Sequence, residues 1–91
     1  MLFDWHDKKA EANVAKHGVS FEEASEVFYD PNAIPYPDYL HSIDEERFII
    51  IGHSSRRLLM VVYIEIKEDF IRIISARRAS KSEKKRYEKG E

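Results

Sequence analysis

The sequence predicts one α+β domain over residues 1–91, with two N-terminal helices packed on an antiparallel sheet of three or four strands and a C-terminal helix. Three observations predict this class. A chain of 91 residues with 43% hydrophobic content can build one modest core. Two segments with helix-capping residues begin before residue 30, and three apolar segments joined by short turns fill residues 47–77.

The first helix is expected to begin at Asp4, a good N-cap residue, and to end at Gly18, which supplies a left-handed residue. Its buried face is predicted from helical spacing and comprises Ala10, Val14 and His17, with Asn13 beside them. This face should lie against the sheet.

The second helix is expected to open at Ser20, because Ser20 and Glu23 have the spacing of a capping box, and to end at residues 30–32. Two prolines restrict residues 33–37 to an edge strand or an extended loop. The polar residues 38–46 are expected to form a mobile connection.

Three strands are predicted, at residues 47–54, 58–67 and 70–77. Their short connections require antiparallel neighbours. In the second strand, the even-numbered residues are expected to face the helices, while Tyr63 and Glu65 face the more open side.

A C-terminal helix is predicted from Ser80 to Gly90, because Ser80 and Glu83 repeat the capping-box pattern. Tyr87 is its one large apolar side chain. The helix is therefore expected to be partly docked on the surface, to be a mobile tail, or to be held by a partner.

The net charge of −2 conceals a strong asymmetry. Residues 1–46 carry 3 lysines and 11 acidic residues, whereas residues 47–91 carry 12 basic and 6 acidic residues, including all seven arginines. Because a guanidinium can bind a phosphate through two hydrogen bonds, the basic half indicates either a polyanion site or an acidic partner. Surface charge paired with nearby carboxylates is the alternative.

Several functional classes are disfavoured by composition. The chain has no cysteine, its four histidines lack metal-binding spacing, and its three glycines do not form a nucleotide-binding loop. We therefore expect no metal and no cofactor. The chain has no secretory signal pattern and no apolar run of about 20 residues, so a cytoplasmic protein that does not enter the membrane is expected.

The candidate anion site lies among the arginines at the strand ends. Arg77 follows the small residue Ala76 in an apolar strand, where an unpaired guanidinium would be costly, so a role in phosphate binding is favoured. Arg72 lies mid-strand and can assist or can pair with Glu65 across the sheet. Arg56 is more simply a solvated turn residue.

Further candidates are His53 at a strand end and Arg57 in the next turn. His17 lies on the buried face of the first helix, where a hydrogen-bonded core histidine is the simpler interpretation. Lys16 can reach the open sheet face but is more simply a solvated lysine.

Four separated stretches and two single residues resemble the BrnT toxin family, and together they span most of the chain. They are residues 3–5, 13–24, 46–52 and 72–80, followed by Glu83 and Tyr87. The resemblance implies the toxin of a bacterial type II toxin–antitoxin pair with a RelE-like fold, in which helices pack on a strongly twisted antiparallel sheet. It also implies RNA cleavage that inhibits translation, and neutralisation by the antitoxin BrnA. Because that antitoxin binds DNA through a ribbon-helix-helix domain, operator DNA would be bound only through it.

RNA cleavage without a metal needs cations for the phosphate and groups that transfer protons near pH 7. We expect Arg77 to be the main phosphate ligand, with Arg72 or Arg57 assisting. The proton-transfer groups are expected among His53, His17, Lys16 and Tyr87. The alternative function is a non-catalytic basic module that docks an acidic or DNA-binding partner protein.

Overall fold

The computed structural model describes residues 1–90. Its strands are β1 (Leu2–Asp4), β2 (Ile34–Pro37), β3 (Phe48–His53), β4 (Leu58–Lys67) and β5 (Phe70–Arg78). Its helices are α1 (Asp7–His17), α2 (Phe21–Ser25) and α3 (Lys81–Lys89), with 3-10 turns at Glu26–Tyr29 and Tyr39–His41. None of the helices within residues 1–90 has the length and apolar character to cross a bilayer.

The strands form one mixed sheet in the order β1-β5-β4-β3-β2. Strands β2 to β5 are antiparallel neighbours, and the proline-containing segment is the edge strand β2. The prediction of an entirely antiparallel sheet of three or four strands is wrong, because β1 adds a fifth strand parallel to β5. A three-residue strand is too short to show an alternating pattern, and its partner lies far along the chain.

The predicted start of α1 is also wrong. Asp4 belongs to β1, and the N-cap residue of α1 is His6. Asn13 is 6% exposed, whereas Val14, expected on the same buried face, is 48% exposed. The Asn13 amide forms hydrogen bonds with the backbone of Val19 and Ala76, and this orients the helix so that Val14 points away from the sheet.

The predicted capping box is confirmed for α3, whereas at α2 only the hydrogen bond to the N-cap side chain forms. Ser80 and Glu83 form a complete capping box, and Gly90 ends α3 in the left-handed conformation. The Ser20 hydroxyl accepts the backbone N–H of Glu23, but the Glu23 carboxylate does not return to Ser20. It contacts Arg57 and Ser54 instead.

The main core lies between the N-terminal helical segments and one face of the sheet, with Phe21, Val27 and Ile73 among its buried residues. Here the predicted orientation of β4 is wrong. The odd-numbered residues of β4 face the helices, namely Leu59, Val61 and Tyr63. Both faces of β4 are apolar over residues 58–64, so alternation alone does not identify the helix-covered face.

The second face of the sheet is covered only in part. Helix α3 packs near β3. The loop of residues 38–47 lies beside the same sheet face, next to residues of β3, β4 and β5. Residues 38–46 were expected to form a mobile connection, but hydrogen bonds join the two ends of this loop. Asp38 N–H donates to the Arg47 carbonyl oxygen, and the Ser42 hydroxyl donates to the Asp38 carbonyl oxygen. Beside the loop, the sheet face forms the floor of a cleft.

Candidate active site

A cleft of about 360 Å³ opens on the second face of the sheet. Its floor includes Ile49, Val62 and Ser75, which are cross-strand neighbours on β3, β4 and β5. The next cross-strand pair, Met60 and Arg77, extends it towards α3. The loop completes the lining with Asp38, Leu40, His41 and Arg47. The cleft thus combines an apolar floor with two guanidinium groups, one imidazole and the Asp38 carboxylate.

Arg77 is held in the cleft by α3. Its Nη1 and Nη2 donate to the two carboxylate oxygens of Glu83, each at 2.9 Å, and Nη1 also donates to the Arg78 carbonyl oxygen at 3.0 Å. Burial would raise the pKa of Glu83, but the hydrogen bonds from Arg77 and from the Ser80 backbone hold that pKa below its usual range. Arg77 is therefore paired, and its partner is in α3 and not in the acidic N-terminal half.

Arg47 is a cation of this cleft that the sequence interpretation missed. Its Nε is buried, and within residues 1–90 this atom has no hydrogen-bond partner. Its Nη2 lies 3.9 Å from the Glu45 carboxylate, a long contact for an ion pair. Arg47 was unremarkable in sequence because it immediately precedes an apolar strand, and only the folded loop brings it into the same cleft as Arg77.

His41 is the second residue that was missed. It lies in the 3-10 turn of the loop, and its Nδ1 is 3.0 Å from the Asp38 carboxylate. In sequence it is one of four scattered histidines within a polar segment. Its spacing of three residues from Asp38 was the one available signal, and it becomes informative only once a turn brings the two side chains together.

Arg72, a predicted assisting cation, lies on β5 outside the cleft. Its Nε and Nη2 donate to the two carboxylate oxygens of Asp4, at 2.9 and 3.0 Å. The predicted alternative, a pair with Glu65, is wrong, since Glu65 lies opposite Ile71. Five residues of strand separate Arg72 from Arg77, roughly 16 Å at about 3.3 Å per residue. Arg72 fixes β1 to β5.

Arg57 is likewise occupied, on the helix-covered side. Its Nε and Nη2 donate to the Glu23 carboxylate at 3.0 and 2.9 Å, and Nη2 also donates to the Gly18 carbonyl oxygen at 2.8 Å. The hydrogen bond from Arg57 holds the pKa of the buried Glu23 carboxyl below its usual range, against the effect of burial. His17 and Lys16 immediately precede Gly18 in the last turn of α1. None of these predicted residues lines the cleft.

His53 and Tyr87 form a separate cluster where α3 meets the end of β3. Their rings are 5.5 Å apart, the Tyr87 hydroxyl donates to the Asp30 carboxylate at 2.7 Å, and the backbone N–H of His53 donates to the same carboxylate at 2.8 Å. Burial and the Asp30 hydrogen bond raise the pKa of Tyr87. Neither side chain lines the cleft. His53 nevertheless lies on the same face of the sheet as the cleft, because it is four residues along β3 from Ile49.

A larger groove of about 460 Å³ lies near the far end of β4. Four carboxylates line it, from Glu45, Glu46, Glu65 and Glu68. Because like charges repel, this groove is a poor site for a phosphate, and the cleft beside Arg77 is the better one. Among the described residues, no three His, Asp or Glu side chains are grouped as metal ligands.

The comparisons with known proteins agree with this architecture. The crystal structure of the Brucella abortus ribonuclease toxin BrnT superposes with a TM-score of 0.68, covering 89% of this chain and 100% of that one at 22% identity. No curated protein sequence matches this chain. Residues 5–83 match the family described as the ribonuclease toxin, BrnT, of the type II toxin-antitoxin system. Because the match spans most of the chain, this protein belongs to the BrnT family of ribonuclease toxins.

Proposed function

We propose that this protein is a metal-independent endoribonuclease that cleaves RNA in the cleft beside Arg77 and thereby inhibits translation. Family membership supports the ribonuclease activity. A type II system implies a neutralising antitoxin, and we assign that role to a BrnA-type protein with a ribbon-helix-helix domain. Operator DNA would then be bound only through the antitoxin. The expected compartment is the cytoplasm, where translation takes place.

The observation that carries the proposal is the unoccupied edge of the Arg77 guanidinium. Glu83 binds the end formed by Nη1 and Nη2. The side edge, formed by Nε–H and the second Nη2 hydrogen, has no acceptor within residues 1–90. In Arg57 and Arg72, by contrast, Nε and Nη2 already bind a carboxylate. Arg77 alone of these three can offer its side edge to a phosphate.

Glu83 also fixes the direction of that edge. A bidentate carboxylate holds the guanidinium plane in one orientation, so little side-chain entropy is lost when a phosphate binds. In the reaction, the ribose 2′-oxygen attacks the adjacent phosphorus and the bond to the 5′-oxygen breaks. The phosphorane transition state carries extra negative charge, which Arg77 and Arg47 would both stabilise, since both line the cleft. The need for a 2′-OH makes RNA the substrate.

The test measures messenger RNA cleavage in a cell-free translation system by the purified parent protein and its variants. Arg77→Ala should lose on the order of 10²–10³ in rate, as expected for loss of a transition-state donor. Arg77→Lys keeps the charge without the fork and should recover only part of that loss. Arg78→Ala is the matched control, since Arg78 is the exposed neighbour on the other face of β5. The metal requirement is tested separately on free RNA, outside the translation system. Excess EDTA should leave the rate of that cleavage unchanged.

Melting temperatures of the same variants separate catalysis from folding. If Arg77 had only a structural role, its substitution would reduce cleavage only by destabilising the fold, and the melting temperature of the variant would fall. If Arg77→Ala melts with the parent protein and cuts at the parental rate, the assignment of the cleft is wrong. If the parent protein binds RNA or a partner but never cuts, the non-catalytic binding module is the better description.

A further inference from the structure

The Asp38–His41 pair on the wall of the cleft has no role in the function so far assigned. Asp38 is 8% exposed, and its carboxylate accepts from His41 Nδ1 at 3.0 and 3.1 Å. A buried carboxylate is costly unless paired, and His41 is the side chain that pairs with it here. The imidazole itself is 67% exposed and lines the same cleft as Arg47 and Arg77.

The pairing fixes the chemistry of the ring. A carboxylate only accepts hydrogen bonds, so the ring nitrogen that faces it carries the proton in neutral His41. The other nitrogen, Nε2, then carries the lone pair. A carboxylate that orients a histidine in this way is the arrangement of a general base in many hydrolases. The backbone of Asp38 is itself bonded to Arg47 and Ser42, so the pair sits on the anchored base of the loop.

We propose that His41, oriented by Asp38, is the general base of the reaction; this assignment rests on the proposed ribonuclease function. Nε2 removes the proton from the 2′-OH as the 2′-oxygen forms its bond to phosphorus. The bond from phosphorus to the 5′-oxygen then breaks, and that oxygen takes a proton from water. The products are a 2′,3′-cyclic phosphate and a 5′-hydroxyl end, and His41 returns its proton to solvent.

Geometry favours His41 over the candidates predicted from sequence. His53 and Tyr87 contact each other and Asp30 outside the cleft, and His17 lies at the end of α1. A general base must reach the proton while the phosphate is bound, so it must share a cavity with the phosphate ligand. Of the four histidines, His41 lines the cavity that contains Arg77.

The experiment compares cleavage by the parent, His41→Gln, His41→Ala and Tyr39→Ala, the last an exposed neighbour in the same turn. Loss of a general base should slow cleavage about 10²–10⁴-fold in both His41 variants and leave Tyr39→Ala at the parental rate. Added imidazole should restore part of the rate of His41→Ala, since it can enter the space left by the side chain. Binding of a 2′-O-methyl RNA, which cannot be cut, should be unchanged.

Asp38 acts through His41 and is a positioning residue. Asp38→Asn keeps the shape but weakens the hold on the ring, so kcat should fall while KM is unchanged. A parental rate in His41→Gln, together with a large loss in Arg77→Ala, would overturn this assignment and leave the proposed function intact. Failure of imidazole to rescue a stably folded His41→Ala would overturn it too. A parent protein that never cuts RNA would overturn both.

Discussion

Asn13 joins α1 to the strand that carries Arg77, and its replacement by alanine tests how that strand is held. The Asn13 Nδ2 donates to the carbonyl oxygens of Val19 and Ala76, both at 2.8 Å, and Oδ1 accepts the Ala76 N–H at 3.1 Å. Strand β1 pairs with β5 only at residues 70–72, so it does not reach Ala76. The Asn13 amide therefore satisfies the two Ala76 backbone groups that a longer β1 would otherwise bind.

The magnitude follows from these three hydrogen bonds. At about 1 kcal/mol for each bond, Asn13→Ala should lower the free energy of unfolding by about 3 kcal/mol, because all three backbone groups are left in a buried site. For a domain of this size, 1 kcal/mol corresponds to roughly 4–8 °C in melting temperature, so a decrease of about 12–24 °C is expected. Buried backbone groups left without partners are rare in native proteins for this reason.

Thermal denaturation followed by circular dichroism measures this decrease, with Val14→Ala as the matched control. Val14 is the next residue of α1 but is half exposed, so its truncation should change stability by no more than about 0.5 kcal/mol. A melting temperature of Asn13→Ala equal to that of Val14→Ala would refute the reasoning. It would mean that water replaces the amide without cost, or that β5 is held by its other contacts.

Two further predictions concern stability. The pKa values of four carboxyl groups lie below their usual range of about 4. These groups therefore stabilise the fold above that pH, and their contribution is lost as the pH falls through the lowered pKa values. The melting temperature should drop between about pH 5 and pH 3, and a melting temperature that does not change over this range would contradict the prediction. The four are Asp4, Glu23, Asp30 and Glu83. Gly52→Ala should destabilise by about 1–3 kcal/mol in denaturant titrations, since overpacking strains a core. The added Cβ would lie 2.8 Å from Val27 Cγ1 and 2.9 Å from the Ala33 Cβ, and an unchanged midpoint would show that these neighbours yield.

The elements whose signals are local could be predicted from the amino-acid sequence. Gly18 and Gly90 end their helices in the left-handed conformation, and Ser80 with Glu83 begins α3, as their residue types require. The turns at residues 54–57 and 68–69 are too short for a crossover, so the antiparallel pairing of β3, β4 and β5 followed directly. The proposal that Arg77 binds a phosphate also came from a local argument, that an unpaired guanidinium in an apolar strand is costly.

The partner of each charged side chain, and the set of side chains that share a cavity, could not be predicted before the chain was folded. Asp4 and Arg72 are 68 residues apart in sequence, and Glu23 and Arg57 are 34 apart, so no local pattern connects them. The orientation of β4 could not be predicted from alternation, because this strand is apolar on both faces. His41 and Arg47 line the same cleft as Arg77 because the loop that carries them is closed by hydrogen bonds beside the sheet. Such pairings depend on how the whole chain packs, and neither residue type nor local spacing specifies which distant residues will meet.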